Sequence, residues 1–141
     1  MRSDLSGDAA IRQWMRCQGD ALLRTCYLLC GDLEAARGIA RRAFVQAWAK
    51  RNALPVFDER AALLILLREA MHLCPCDQAH PLPFACRDFI ARLRALAPEP
   101  RQVALLCLYH GLSAQEAAQV LGREEARVLG DLRRARELLG L

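Results

Sequence analysis

The stretch PEPRQVALLCLYHGLSAQEAAQVLGREEARVLGDLRRARELL, residues 98–139, decides the fold and predicts three consecutive helices. Pro98 and Pro100 suit the start of the first helix, because the first helical turn leaves its N–H groups unpaired and proline has none. An apolar run follows them and ends at Gly111. The first of the three helices is therefore predicted between Pro98 and Gly111.

The second helix of this stretch has both a start signal and a stop signal. Ser113 and Glu116 have the spacing of a capping box, in which each side chain accepts a hydrogen bond from a backbone N–H. Gly122 follows at the position where a positive φ is often required. The third helix is predicted to turn four apolar residues inward, Val128, Leu132, Ala135 and Leu139. This pattern predicts a helix-turn-helix; the alternative is an αα-hairpin that packs only against protein.

Basic residues on the third helix predict contacts with DNA. Arg123 and Arg127 lie at its leading end and could reach phosphate or guanine. Arg133 and Arg134 lie further along, where phosphate is the better target. Asp131 is on the same helix, and a carboxylate repels the phosphate backbone. The pattern therefore favours the fold more strongly than it favours base readout.

The composition of the 141 residues predicts an all-α protein. The chain is 54% apolar and 6% aromatic, and its commonest residues are strong helix formers. A net charge of +4 permits a nucleic-acid partner without requiring one. Because no apolar run is long enough to span a membrane and residues 1–19 lack a signal-peptide core, we expect a cytoplasmic protein with reduced cysteines.

Enzymatic activity is not expected from this sequence. It contains no Ser-His-Asp order, no glycine-rich phosphate loop and no paired carboxylates in an apolar setting. His110 precedes Gly111 at a predicted helix end, where a partly charged imidazole interacts favourably with the helix dipole.

The first 73 residues predict a helical bundle with one basic face. Residues 1–7 are polar, and we expect them to be frayed. Apolar residues at helical spacing predict helices over residues 11–30, 33–50 and 59–73. The middle helix carries Arg37, Arg41 and Arg42 opposite its apolar face. Such a face is either simply solvated or a surface for nucleic acid or an acidic protein.

A proline- and cysteine-rich segment is predicted to link two domains. The predicted units are residues 6–73, a linker at 74–96, and residues 97–141. Thiols and imidazoles are dense in the linker, at Cys74, Cys76, His80 and Cys86. They could hold a zinc ion or form a redox-sensitive pair. The alternative is a thiol-rich linker without such a role, because Cys-x-Cys is tighter than the usual Cys-x2-Cys spacing.

Two stretches resemble the extracytoplasmic-function sigma factors of the sigma-70 family. LLRTCYLLCGDLEAA at residues 22–36, continuing to FVQAW at 44–48, is similar to their promoter-melting domain. GLSAQEAAQVLG at residues 111–122, with LRRARELL at 132–139, is similar to their C-terminal helix-turn-helix. The resemblance implies a protein that docks on core RNA polymerase and recognises the −10 and −35 promoter elements.

The resemblance also implies roles for particular residues. The −35 element would be contacted by Arg123, Arg127, Arg133 and Arg134. The −10 element would be contacted by Lys50, Arg51, Asn52 and Arg68. The polymerase would dock on the face with Arg37, Arg41 and Arg42. The family carries carboxylates on that docking helix where this chain has arginines, and like charges brought together repel.

Two functions follow from this comparison. The first is a sigma factor that directs RNA polymerase to specific promoters, with core polymerase, promoter DNA and an anti-sigma factor as partners. The alternative is a degenerate sigma fold that acts through contacts with an anti-sigma factor or another regulator, without recognising promoters. A metal- or thiol-responsive linker is compatible with either function. No cofactor is expected apart from a zinc ion that the linker could hold.

Overall fold

The computed structural model describes residues 2–53, 58–79 and 87–141 of the chain. Its helices are α1 (Arg2–Cys30), α2 (Leu33–Ala49), α3 (Glu59–Leu73), α4 (Phe89–Ala95), α5 (Pro98–Ala104), α6 (Ala114–Leu121) and α7 (Glu125–Leu139). A short 3-10 turn, Arg51–Ala53, follows α2, and a π-helical segment, Leu105–Tyr109, continues α5. The described residues contain no β-strand, so the all-α prediction is confirmed.

Helices α1, α2 and α3 pack against one another and form the N-terminal half of the molecule. Gly31 ends α1 with a φ of +78°, a conformation that glycine adopts without a steric cost. Asp32 then caps α2 by accepting a hydrogen bond from the Glu34 N–H at 3.1 Å. Asp58 caps α3 in the same way, through the Arg60 N–H at 3.0 Å. The starts of α2 and α3 are therefore each fixed by an aspartate.

Helices α4 to α7 form the C-terminal half, in which α5 and α6 pack on α7. The π segment after α5 ends where the His110 N–H donates to the Leu105 carbonyl oxygen at 3.0 Å. Gly122 ends α6 with a φ of +66°, as its position in the sequence predicts. On α7, Val128 and Ala135 are fully buried. The inward face predicted for this helix is therefore confirmed, with Leu132 only half-buried.

One hydrophobic core runs through both halves. Helix α1 contacts α4 and α5, and α3 contacts α6. Leu22, Leu29 and Leu66 of the N-terminal half belong to the same buried cluster as Leu105 and Val128 of the C-terminal half. The division into domains at residues 6–73 and 97–141 stays a prediction, because a shared core in one arrangement does not say whether each part folds alone.

The structure differs from the predicted elements at three places. Helix α1 begins at Arg2, so the first residues are helical where we expected fraying. Helix α4 begins only at Phe89, where Asp88 accepts a hydrogen bond from the Ile90 N–H at 3.0 Å. Cys17 falls among the apolar residues that predict the helix over 11–30, but it is exposed. Residues 54–57, between the second and third predicted helices, and residues 80–86 of the predicted linker lie outside the described residues.

Candidate nucleic-acid interface and the adjoining cleft

The helix-turn-helix is built by α6, the Gly122 turn and α7. The Ser113 hydroxyl accepts from the Glu116 N–H at 3.1 Å, and the Glu116 carboxylate accepts from the Ser113 N–H at 3.0 Å. This is the capping box predicted from the sequence, and it fixes the first turn of α6. The turn then sets α7 against α5, which leaves the outer face of α7 free for solvent or DNA.

Arg127 in the first turn of α7 is held by α5. Its Nη2 donates to both carboxylate oxygens of Glu99, each at 2.7 Å. Both side chains are about half exposed. The hydrogen bond from Arg127 lowers the pKa of Glu99, so the pair remains charged at neutral pH. Arg127 must break this exposed surface pair, which solvent weakens, before it can contact DNA.

Arg123 faces the interior of the molecule rather than open solvent. It lies in the turn before α7, is half-buried, and its Nη2 donates to the side-chain oxygen of Gln102. Its Nη1 is buried and has no hydrogen-bond partner among the described residues. A guanidinium in this position faces a cleft within the molecule, which is described below.

The remaining predicted contacts on α7 lie at the surface. Arg133 and Arg134 are exposed, and within the described part of the chain no ion pair engages them. Asp131 is 5% exposed. It therefore does not face the phosphate backbone, and the repulsion expected from it at the sequence level is wrong. Two adjacent free arginines on an exposed helix face suit phosphate contacts.

The residues predicted to contact the −10 element are mostly engaged within the chain. Lys50 forms an ion pair with Glu69, which is 7% exposed. Arg51 donates to Asp8 at 3.1 Å, and its guanidinium lies 4.2 Å from the centre of the Trp48 ring. Asn52 and Arg68 are exposed. Arg51 is thus fixed by structure, whereas Asn52 and Arg68 are accessible.

A cleft of about 530 Å³ brings members of the two predicted DNA-contacting sets together. Lys50 and Arg68 line it from the N-terminal half, and Arg123 lines it from the turn before α7. The other lining residues are Glu69, Met71, His72, Gln102, Gln119, Val120, Leu121 and Gly122. In this arrangement the two predicted sets therefore face each other rather than pointing along one surface.

The face predicted to dock on polymerase lies on the outside of α2. Arg37, Arg41 and Arg42 are all exposed. Arg37 forms an ion pair with Glu34 one turn earlier, at 3.3 Å, in which both side chains are more than half exposed. The face is therefore accessible and carries a net positive charge.

The cysteines of the linker are held as thiols. Cys74 is buried and donates to the Cys26 carbonyl oxygen at 3.5 Å, and its contact with Cys26, together with burial, raises its pKa. Burial also raises the pKa of Cys76, to about 11. His80 and Cys86 lie outside the described residues. Over residues 2–53, 58–79 and 87–141, no group of three or more potential ligands could hold a metal ion. Zinc binding by the linker stays a prediction.

The sequence analysis missed Arg101, which is fully buried. Its Nη1 donates to the Leu29 carbonyl oxygen at 3.0 Å and to Asp77 at 2.5 Å. Its Nη2 donates to the carbonyl oxygens of Leu96, at 2.8 Å, and Arg94, at 3.0 Å. One side chain thus joins the end of α1, the linker and α5. Nothing in the sequence indicated this, because an arginine in the first turn after two prolines usually faces solvent.

Two further contacts join the halves. The Thr25 hydroxyl and His110 Nε2 lie 2.7 Å apart, and burial lowers the pKa of His110 to about 4. His110 is therefore neutral, and the partial charge expected at the sequence level is wrong. Arg60 at the start of α3 donates from Nε to the Glu116 carboxylate at 2.7 Å. This hydrogen bond lowers the pKa of Glu116 to about 2.

None of the helices in the described part of the chain has the length and apolar character needed to cross a membrane.

Comparison with known proteins identifies the C-terminal half. Residues 86–139 match the family model for sigma-70, region 4. No curated protein matches the sequence.

Solved structures match nearly the whole chain. The sigma factor RpoE, solved in complex with the anti-sigma factor NepR from Bartonella quintana, is 20% identical, with a TM-score of 0.65 over 91% of this chain and 92% of that one. CnrH, solved in complex with the cytosolic domain of CnrY, is 24% identical, with a TM-score of 0.64 over 99% of this chain and 90% of that one. At these identities the likeness shows the fold.

The region 4 match and the shared fold confirm the resemblance seen in the sequence. Residues 86–139 carry the similarity to sigma-70, region 4, and the chain shares the all-helical fold of the solved sigma factor RpoE.

Proposed function

We propose that this chain is a transcription initiation factor that binds core RNA polymerase and directs it to promoters. The observation that carries the proposal is the region 4 helix-turn-helix with Arg133 and Arg134 exposed on α7. In the proposed complex these arginines contact phosphates beside the −35 element, and α7 enters the major groove. The exposed arginines of α2 form the proposed polymerase-docking face.

Promoter binding requires the two halves to separate. Lys50 and Arg68 line the same cleft as Arg123, and the volume of this cleft is about 530 Å³. Two promoter elements that are more than one helical turn apart are separated by over about 34 Å. We call the arrangement in which the two halves meet at this cleft the closed arrangement. In it, the −10 residues and the −35 residues cannot reach their separate elements at the same time. The closed arrangement is therefore the proposed inactive form.

The first test is gel filtration of the purified chain with core RNA polymerase at moderate salt. Co-elution is expected, followed by specific transcription from a promoter with both elements. DNA binding is then measured for the double variant Arg133→Ala/Arg134→Ala. Loss of two phosphate contacts is expected to reduce the salt dependence of affinity by about two counter-ions.

Arg16→Ala/Arg24→Ala is the matched control for this variant. Both arginines are exposed on α1, so the control removes the same charge from the surface without touching α7. Equal losses in the two variants would mean that only net charge matters and would contradict the proposed role of α7.

A second candidate function is regulation through protein contacts alone. An apolar groove of about 550 Å³ lies between α1, α4 and the π segment after α5, with Leu139 of α7 at one side. Its rim exposes Tyr27, Phe89, Ile90 and Tyr109, each between 42% and 49%. Exposed apolar residues in this number mark an interaction site. RpoE was solved with an anti-sigma factor, and we propose an amphipathic helix of such a partner as the occupant.

The two candidates give different results with polymerase. Under the second, a folded, helical protein fails to co-elute with core polymerase, while Phe89→Asp abolishes binding of the anti-sigma partner. Under the first, Phe89→Asp leaves polymerase binding intact, because Phe89 lies far from the arginines of α2 in the chain and on the opposite half of the fold. Both functions are proposed to operate in the cytoplasm, where the polymerase is.

A further inference from the structure

The cleft between the halves has an excess of positive charge. Its ionisable residues are Lys50, Arg68, Glu69, His72 and Arg123. The ion pair between Lys50 and Glu69 cancels one positive charge. Arg68 makes no ion pair with any residue in the described ranges. With His72 neutral, the cleft carries a net charge of +2, which a dianion would balance.

Arg123 presents an unsatisfied donor at this cleft. Its Nη1 is buried and, among the described residues, is left without an acceptor, although its Nη2 is bound to Gln102. A buried donor without a partner destabilises the fold, and more so when it is charged. Arg123 also lines the cleft, so an oxygen-rich anion bound there would add an acceptor to the one that Gln102 supplies.

The other lining groups also suit such a ligand. Gln102 and Gln119 provide amides that can donate to oxygen. Gly122 leaves open space where a Cβ would lie, so the backbone of the turn can be approached closely. The volume of about 530 Å³ is within the range of pockets that hold small molecules.

We propose that this cleft binds a small phosphorylated ligand of about nucleotide size, with Arg68 and Arg123 as its phosphate-binding residues. A phosphate monoester carries a charge of about −1.5 to −2 at neutral pH, which balances the charge of the cleft. Arginine binds phosphate through two parallel hydrogen bonds.

The ligand would stabilise the closed arrangement. Arg68 belongs to α3 and Arg123 to the turn before α7, so one phosphate bound by both residues links the two halves. The ligand and promoter DNA would then be mutually exclusive, since they use the same arginines in different arrangements. This consequence rests on the proposed function, whereas ligand binding itself does not.

The test is thermal unfolding of the full chain with pyrophosphate as the probe. At ten times its Kd, pyrophosphate is expected to raise the Tm by about 4 °C. Sodium chloride at the same ionic strength corrects for general salt effects. Calorimetric titration then gives the Kd for pyrophosphate and for ADP, and equal values would mean that the phosphates alone are recognised.

Variants assign the effect to the cleft. Arg68→Gln and Arg123→Gln are each expected to weaken pyrophosphate binding by about tenfold or more, which corresponds to one charge-assisted hydrogen bond. Arg68 is exposed, so its replacement preserves the fold even if Arg123→Gln does not. Arg16→Gln, on the exposed face of α1, is the matched control and is expected to keep the full Tm shift.

Four outcomes would overturn the proposal. They are no Tm shift with pyrophosphate at 10 mM, an equal shift with sodium chloride, an undiminished shift in Arg68→Gln, and a shift that also disappears in Arg16→Gln. A mixed-sequence single-stranded oligonucleotide is tested in parallel. If it alone produces a stabilisation that depends on Arg68, the cleft binds nucleic acid and the small-ligand proposal is wrong.

Discussion

Arg101 is the residue on which the junction of the two halves depends most. It is fully buried, and its guanidinium reaches the Leu29 carbonyl oxygen, Asp77 and the Leu96 carbonyl oxygen. Hydrogen bonds from Arg94 and Arg101 lower the pKa of Asp77 against the opposing effect of burial, so the carboxylate stays charged. A buried ion pair adds little over an apolar pair, but removing one partner leaves the other uncompensated.

We predict that Arg101→Met lowers the free energy of unfolding by about 3 kcal/mol. Methionine fills a similar volume but leaves three carbonyl oxygens and a carboxylate without their donor. Urea denaturation measures the change, with Arg16→Met as the control, because that arginine is exposed. A loss below about 0.5 kcal/mol, as for ordinary surface changes, would mean that Arg101 does not hold the junction.

His110 predicts how stability depends on pH. Burial lowers its pKa from 6.5 to about 4, so the folded state binds fewer protons than the unfolded state between these values. Stability is therefore full above about pH 6.5 and falls as pH decreases towards 4. The expected loss between pH 7 and pH 5 is about 2 kcal/mol. Glu116, lowered from 4.5 to about 2, contributes only at still lower pH.

The measurement is urea denaturation at pH 7, 6 and 5 for the wild type and His110→Gln. The glutamine keeps a hydrogen bond to Thr25 within reach but does not titrate. Its stability should be nearly constant over this range. A wild-type curve equally flat would mean that His110 is not held neutral by the fold.

At the scale of elements, the capping box of α6 also takes part in the contact between the two halves. Glu116 caps α6 and also accepts a hydrogen bond from Arg60 of α3. Ser113→Ala removes only the cap, and we predict a loss of about 1 kcal/mol in the free energy of unfolding. Thermal unfolding measures this loss, and Ser113→Thr, which keeps the oxygen, should restore most of it. A loss in Ser113→Thr as large as in Ser113→Ala would contradict the capping role.

The elements show which features a sequence can predict. Helix α3 has the predicted bounds, because its signals are local: a cap at Asp58 and an apolar run ended by the proline-rich segment. The capping box and the positive φ of Gly122 are likewise local. The sequence did not predict the π segment after α5. A π-helix shifts the backbone hydrogen bonds by one residue, and no residue type signals that shift.

The contacts that define the candidate site are not local, and here prediction was weaker. Thr25 and His110 are 85 residues apart, and Arg60 and Glu116 are 56 apart. The sequence assigned Lys50 and Arg123 to separate DNA-contacting surfaces, whereas the fold places both at one cleft. Lys50 and Arg123 come close because α3 packs against α6. Hydrophobic periodicity does not specify which helices pack together, so the sequence could not predict this.

At the scale of the whole molecule, the closed arrangement predicts a measurable size. A compact body of 141 residues has a radius of gyration of about 14 Å. Three polar contacts, Thr25–His110, Arg60–Glu116 and Asp77–Arg101, hold the halves together across the apolar core. These contacts stabilise the arrangement in which the two halves pack together. Removing all three should therefore shift the population towards an open form, in which the halves are apart.

We therefore predict that Thr25→Val/Arg60→Gln/Asp77→Asn increases the radius of gyration measured by small-angle X-ray scattering, while the helical circular dichroism is unchanged. Retained helicity is expected because each half keeps its own caps and apolar contacts. If the triple variant instead loses helicity in step with its expansion, residues 6–73 and 97–141 do not fold independently. Promoter binding could then not proceed by separation of intact halves, because the opening that moves Arg68 away from Arg123 would also unfold the neighbouring helices.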